Sequence, residues 1–120
     1  MKKKNLDHTR LLVLTLLSGE DMYGYQIITE LARRSENTFE MKEGTLYPVL
    51  HALWKEGAVE SYEAQAPTGR ARKYYHITRK GKDLLASERE EWQTYARGVE
   101  AVLSYARGVE AVLSYAPAVG

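Results

Sequence analysis

The apolar residues change their period at Gly57, so the chain can be neither all helix nor all sheet. Before that point, Leu46, Val49, Leu50, Leu53 and Trp54 fall at i, i+3, i+4, i+7 and i+8, one face of a helix. After it, Ala58 to Gln65 and Lys73 to Thr78 alternate with period two, as strands do. The Pro and Gly of Ala66-Pro67-Thr68-Gly69-Arg70 make a turn between them.

Two further helices precede that stripe. The first is expected over Asp7 to Ser18, capped by Asp7 or Thr9 and stopped by Gly19. Leu11, Leu12, Val13, Leu14, Leu16 and Leu17 cover most of its surface, so it needs burial on most sides, and a second subunit is the expected second partner. The second helix is expected over Tyr23 to Arg34, with Ile27, Ile28 and Leu31 inward. The third is expected from about Thr45 to Lys55, with Thr45 as N-cap, Pro48 in the first turn and Trp54 closing the core stripe. Three helices and then a hairpin give a mostly α fold with a small β-hairpin: a winged helix-turn-helix over residues 1–78, followed by a C-terminal dimerisation helix over residues 79–120.

That last helix starts after Thr78, a plausible N-cap. Leu85, Trp92 and Val99 recur every seven residues, with Tyr95 and Val102 between them and Glu88 in one companion slot. Such a seam suits helix–helix association; the alternative is packing within its own domain. Residues 95–104 are then repeated letter for letter as 105–114. Ten residues turn a helix about 80° short of three turns, so the second copy does not prolong the first copy's stripe in phase. Gly98 and Gly108 each disfavour helix by about 1 kcal/mol relative to Ala. The last dozen residues are therefore expected to be irregular or frayed.

Charge is informative in its distribution. The net charge is +1, but residues 1–82 hold 14 Lys/Arg against 10 Asp/Glu, and residues 83–120 hold 3 against 6. The block Ala66 to Lys82 carries Arg70, Arg72, Lys73, Arg79, Lys80 and Lys82 and no acid. A local basic patch suits a polyanion partner; a merely solvated face is the plain alternative. There is no cysteine, which excludes disulfides and thiolate metal sites and fits a reducing cytoplasm. Leu11 to Leu17, the longest apolar run, is too short to cross a bilayer, and no signal peptide is expected. His8, His51 and His76 lie on different elements without metal-ligand spacing, and no Gly-rich phosphate loop follows a strand. Glu88, Glu90 and Glu91 read as a solvated helix face. No enzyme, metal or cofactor is expected.

Particular motifs sharpen this reading. Tyr23-Gly24-Tyr25-Gln26-Ile27, Gly44-Thr45-Leu46-Tyr47-Pro48-Val49-Leu50, Gly69-Arg70-Ala71-Arg72-Lys73-Tyr74-Tyr75-His76-Ile77-Thr78 and Lys80-Gly81 stand in that order. Together they resemble the PadR-like family of winged-helix transcriptional regulators, of the type with a short C-terminal region. Ala71 departs from the pattern, since family wings often carry Pro there, and beyond Val99 the likeness ends. The resemblance implies a homodimer that represses transcription at a palindromic operator in double-stranded DNA. In many members a small aromatic or hydrophobic effector at the dimer interface releases it.

Within that frame, Lys42, Gly44, Thr45, Tyr47 and His51 stand on the outer face or at the start of the third helix, where base edges and phosphates are reached. Tyr23 and Tyr25 can donate to phosphates; for both, core packing is the alternative. Arg70, Arg72 and Lys73 are expected to grip phosphates or the minor groove, and Lys2, Lys3 and Lys4 are expected to form a loose basic arm or merely a disordered start. The expected dimer and effector residues are Leu12, Leu16, Leu85, Trp92, Tyr95 and Val99; two facing Trp92 rings could sandwich a flat ligand, the alternative being a hydrophobic interface residue with no ligand. A winged helix that binds protein instead of specific DNA, and a small-molecule carrier, are the alternatives.

Overall fold

The structure is a computed structural model describing residues 8–115, with side chains as far as residue 108. Its elements are α1 (Thr9–Gly19), β1 (Met22–Tyr23), α2 (Gly24–Arg34), α3 (Glu43–Lys55), β2 (Val59–Gln65), β3 (Ala71–Ile77) and α4 (Arg79–Tyr115). The chain divides into two compact units, Met1–Glu88 and Arg89–Gly120.

In the first unit α1 lies at the centre. It packs against α2, α3 and β3, and Leu11, Val13, Leu14, Leu16 and Leu17 are all buried. The second partner expected for this helix is thus the chain's own sheet; only Leu12 is left half-buried at the edge of the core. Asp7 lies outside the described residues, and the N-cap position belongs to His8, in the left-handed region at φ 53°. From α2 come Ile27 and Leu31, and from α3 Leu46, Leu50 and Leu53. Leu14, Ile27, Leu46, Leu50 and Leu53 are nearly inaccessible, and each such side chain contributes about 1.5–3 kcal/mol by leaving water.

The helix ends explain the connections. α3 closes with Gly57 at φ 81°, which donates its N–H to the Trp54 carbonyl at 3.0 Å while the Ala58 N–H reaches the Leu53 carbonyl at 2.8 Å. This is a Schellman closure, and glycine takes the left-handed position without Cβ strain. The start of α3 differs from expectation. The Lys42 carbonyl accepts the N–H groups of Thr45 and Leu46, so the helix begins at Glu43 and Thr45 lies inside it. Pro48 therefore sits in the second turn, where the Gly44 carbonyl loses its i+4 donor. Trp54, expected in the core, is 52 % exposed.

The sheet is three-stranded and antiparallel, in the order β1-β3-β2. Val59↔Ile77 through Gln65↔Ala71 pair the hairpin, and Met22↔Tyr75 and Tyr23↔Tyr74 add the short β1. Tyr23, expected in the second helix, is therefore a strand residue, and β3 starts at Ala71 rather than Lys73. Gly69, at φ 90°, turns the hairpin, and its N–H closes on the Ala66 carbonyl at 2.8 Å.

Thr78 joins three elements. Its hydroxyl donates to the carbonyls of Gly57 (2.6 Å) and Ala58 (3.0 Å) and accepts the Gly81 N–H (3.1 Å). It thus caps α4, as expected, while tying it to the end of α3 and the start of β2. In the second unit α4 stays helical through both copies of the repeat to Tyr115, so residues 109–115 are not irregular as expected. The copied block supplies Ala96, Arg97, Glu100, Ala101 and Leu103, good helix formers that outweigh a single glycine per copy.

Candidate nucleic-acid interface

With Leu46, Leu50 and Leu53 turned inward, α3 shows the solvent a polar face. Gly44, Thr45, Tyr47 and His51 are exposed on it, as is Lys42 at its N-cap position. No side chain caps that end, so the first N–H groups of α3 point outward. Glu43 in the first turn puts one carboxylate beside them. Tyr25 is 63 % exposed, which removes core packing as its role.

Strand alternation divides the wing cations. Arg72 shares one face of the sheet with Tyr62, Tyr74 and Tyr23. Tyr62 and Tyr74 stack at 5.7 Å, Tyr23 meets Tyr74 edge-on at 5.3 Å, and the Arg72 guanidinium lies 5.6 Å from the Tyr23 ring centre. Tyr23 is thus a half-buried part of this aromatic row. Lys73 points the other way, with Tyr75 and Ser61, into a cleft of about 430 Å³ whose far wall is Tyr47, Leu50, His51 and Trp54 of α3. Arg70 is exposed beside the hairpin turn. A second cleft, of about 340 Å³, brings Tyr23, Tyr25, Tyr47, Arg72 and Lys73 to one concavity with Gly24 and Glu43. Lys42, Thr45 and Arg70 line neither cleft, and Lys2, Lys3 and Lys4 lie outside the described residues.

The cations fall into two groups. Arg10 donates twice to Glu56, at 2.6 and 2.9 Å, and also approaches Glu88 at 3.4 Å. That pairing lifts the Arg10 pKa and lowers that of Glu56. Arg33 and Arg34 both pair with Glu30 and hold its carboxyl at about 2, the Arg33 hydrogen bond foremost. Among the described residues, Lys42, Arg70 and Lys73 have no ion-pair partner, although Glu63 stands opposite Lys73 in the ladder. Their charge remains available to an outside anion.

Two participants are not legible in the sequence. Trp54 stacks on His51 at 5.9 Å and 27°, making a flat wall of the larger cleft. Its one signal is a place at the rim of the apolar stripe. Asp21 fastens the wing. One of its oxygens accepts the Tyr62 hydroxyl at 2.6 Å and the other meets His76 Nδ1 at 2.8 Å. The hydrogen bond to Asp21 is the first cause that pushes the Tyr62 hydroxyl up to about 12.

Of the expected dimer and effector residues, Leu16 and Leu85 are buried in the first unit's own core and have little surface to offer a partner. Leu12 is half-buried. In the second unit, Trp92, Tyr95 and Val99 are exposed at 40–41 %, with the Trp92 and Tyr95 rings 6.0 Å apart. Tyr95 and Val99 line an open apolar groove on α4 with Gly98, Val102 and Leu103. Among the described residues no three acidic or imidazole side chains converge as a metal site, and no helix is long and apolar enough to cross a membrane.

Comparison with known proteins agrees with this arrangement. Residues 13–87, from α1 into α4, match the model of the transcriptional regulator PadR-like family. The chain is 40 % identical over 85 residues to an uncharacterized protein of Lysinibacillus sphaericus, 71 % of this chain and 78 % of that one. It is 33 % identical over 90 residues to transcriptional regulator Rv3488 of Mycobacterium tuberculosis, 75 % of this chain and 80 % of that one. Among solved structures, a PadR-like transcriptional regulator of Bacillus cereus has a TM-score of 0.71 at 31 % identity, covering 81 % of this chain and 92 % of the other. With a winged helix whose third helix faces outward beside a basic hairpin, and a family match over 13–87, the chain belongs to the PadR-like family of transcriptional regulators.

Proposed function

We propose that the protein is a cytoplasmic homodimeric repressor that binds a palindromic operator and is released by a small hydrophobic or aromatic effector. The observation that carries the DNA role is the pairing of an outward α3 face with unpaired wing cations: Tyr47 and His51 share one cleft with Lys73. Lys42, Gly44, Thr45, Tyr47 and His51 enter the major groove, as a recognition helix does. Tyr23, Tyr25, Arg70, Arg72 and Lys73 hold flanking phosphates. Helix α4 is the dimerisation element, where the exposed Trp92, Tyr95 and Val99 meet a second copy and enclose the effector; Leu12, half-buried on α1, is a separate contact with that copy.

The test is a salt titration of binding to random duplex and to DNA upstream of the protein's own gene, with molar mass read in parallel. A dimer that binds the upstream DNA more tightly, with affinity falling as salt rises, is expected. A monomer that ignores both duplexes at low salt refutes this reading and favours a protein-binding winged helix. Release of the bound DNA by planar aromatic compounds, with a change in Trp92 fluorescence, tests the effector site.

A further inference from the structure

Tyr47 stands where α2, α3 and the sheet meet. A methyl group built on Gly24, the first residue of α2, would lie 2.3 Å from the Tyr47 Oη, 2.8 Å from its Cζ and 3.2 Å from its Cε1. On the sheet side is Tyr75, whose hydroxyl is pushed above the ordinary tyrosine range by burial and then by the neighbouring Tyr47. Tyr47, with Lys73 and Tyr75, lines both clefts, and its side chain is still 44 % exposed.

Conformation does not demand glycine at residue 24. Among the described glycines only Gly57 and Gly69 have positive φ, and a helical backbone accepts Ala more readily than Gly. What excludes a side chain there is the Tyr47 ring. Gly44, at the start of α3, is the contrast: it is exposed, and a Cβ there would meet nothing within 4 Å.

We propose that Gly24 is a positioning residue for DNA recognition: its missing side chain is the notch that seats the Tyr47 phenol and fixes the angle at which α3 presents it. The inference rests on the DNA-binding reading above. Ile27 and Leu46 are fully buried on the facing helices, so parting the backbones would expose that core, whereas the phenol is 44 % exposed and free to move; a methyl group at residue 24 therefore displaces the phenol. Gly24 then acts only through Tyr47, and that has a measurable signature.

The experiment compares the wild type, Gly24→Ala, Tyr47→Ala and the double variant for binding to duplex from upstream of the protein's own gene and to random duplex, with thermal unfolding as a control. Gly24→Ala is expected to weaken upstream binding about tenfold, the scale of removing one base-specific interaction, and to match Tyr47→Ala. The double variant is expected to bind no more weakly than Tyr47→Ala alone. If Gly24→Ala does not fold, a double variant that folds and binds like Tyr47→Ala supports the proposal equally. Wild-type affinity in Gly24→Ala, additive losses in the double variant, or a double variant that also fails to fold overturns the positioning role while the DNA reading stands. A wild-type chain that binds neither duplex overturns the DNA reading, and this inference with it.

Discussion

Gly81→Ala places one methyl group at the third position of α4, and two effects of opposite sign follow. Helix propensity favours Ala by at most about 1 kcal/mol. Sterics oppose it. The added Cβ would lie 2.1 Å from the Ala58 carbonyl oxygen and 2.7 Å from Ile77 Cγ1. Neither neighbour is free to retreat: Ala58 and Ile77 are buried, and the Ala58 carbonyl accepts both the N–H and the hydroxyl of Thr78, each at 3.0 Å. Overpacking of a fixed site costs about 1–3 kcal/mol. Pulling that carbonyl away weakens two hydrogen bonds worth about 1 kcal/mol each. The steric effect wins, and the net loss is about 1–3 kcal/mol. In a unit of this size about 1 kcal/mol moves the unfolding midpoint by roughly 4–8 °C, so a fall of about 5–20 °C is expected. The assay is thermal unfolding followed by circular dichroism, beside Gly108→Ala in the same helix. A Cβ at residue 108 meets nothing within 4 Å, and its midpoint is not expected to fall. An unchanged or raised midpoint for Gly81→Ala would refute the reasoning, because α4 and β2 could then separate at no cost.

Replacing Arg70 and Lys73 by Ala is expected to reduce the slope of log K against log salt by about 0.9 for each phosphate that a protomer no longer neutralises, read from DNA titrations at several salt concentrations. Trp54→Ala, at an exposed position, should shift stability by no more than about 0.5 kcal/mol, whereas Leu50→Ala should cost about 2–5 kcal/mol; denaturant unfolding of both separates the rim of the α3 stripe from its centre. For Asp21, burial pushes the carboxyl pKa up, but the hydrogen bonds from Tyr62 and His76 prevail and hold it below the ordinary range. A lowered folded value gives stability that is present above the unfolded pKa of about 3.9 and disappears as pH falls through the folded one. Asp21→Asn should therefore flatten the dependence of the unfolding midpoint on pH below about 4, and an unaltered dependence would show that the wing clasp contributes nothing.

The residues of α3 show how much of the fold is legible in the sequence. Leu46, Leu50 and Leu53 are buried as their spacing demands, and the face opposite them is the exposed one. Spacing misplaces Trp54 because a rim position is compatible with either side, and its stacking on His51 is a contact that spacing alone does not specify. The first turn is misplaced because Thr45 has good capping chemistry, while the acceptor used is the Lys42 backbone carbonyl. β1 is invisible for a different reason. Two residues carry no period, and Met22 and Tyr23 become a strand only by pairing with residues about fifty positions away. Composition alone finds the cations of the wing. Their division between two faces, and the seat of Tyr47 on Gly24, depend on register and on packing between elements distant in the chain. The repeat is plain in the letters, yet its helical state turns on the helix formers around each glycine rather than on the glycine itself.

The Thr78 hydroxyl has a mechanical consequence. A linker that let α3 pivot would need free play where that helix ends, and here the end of α3, the root of the hairpin and the start of α4 are fastened to one oxygen. Within the first unit the three elements therefore move as one piece, and α3 cannot tilt without carrying the root of the hairpin and the first turn of α4 with it.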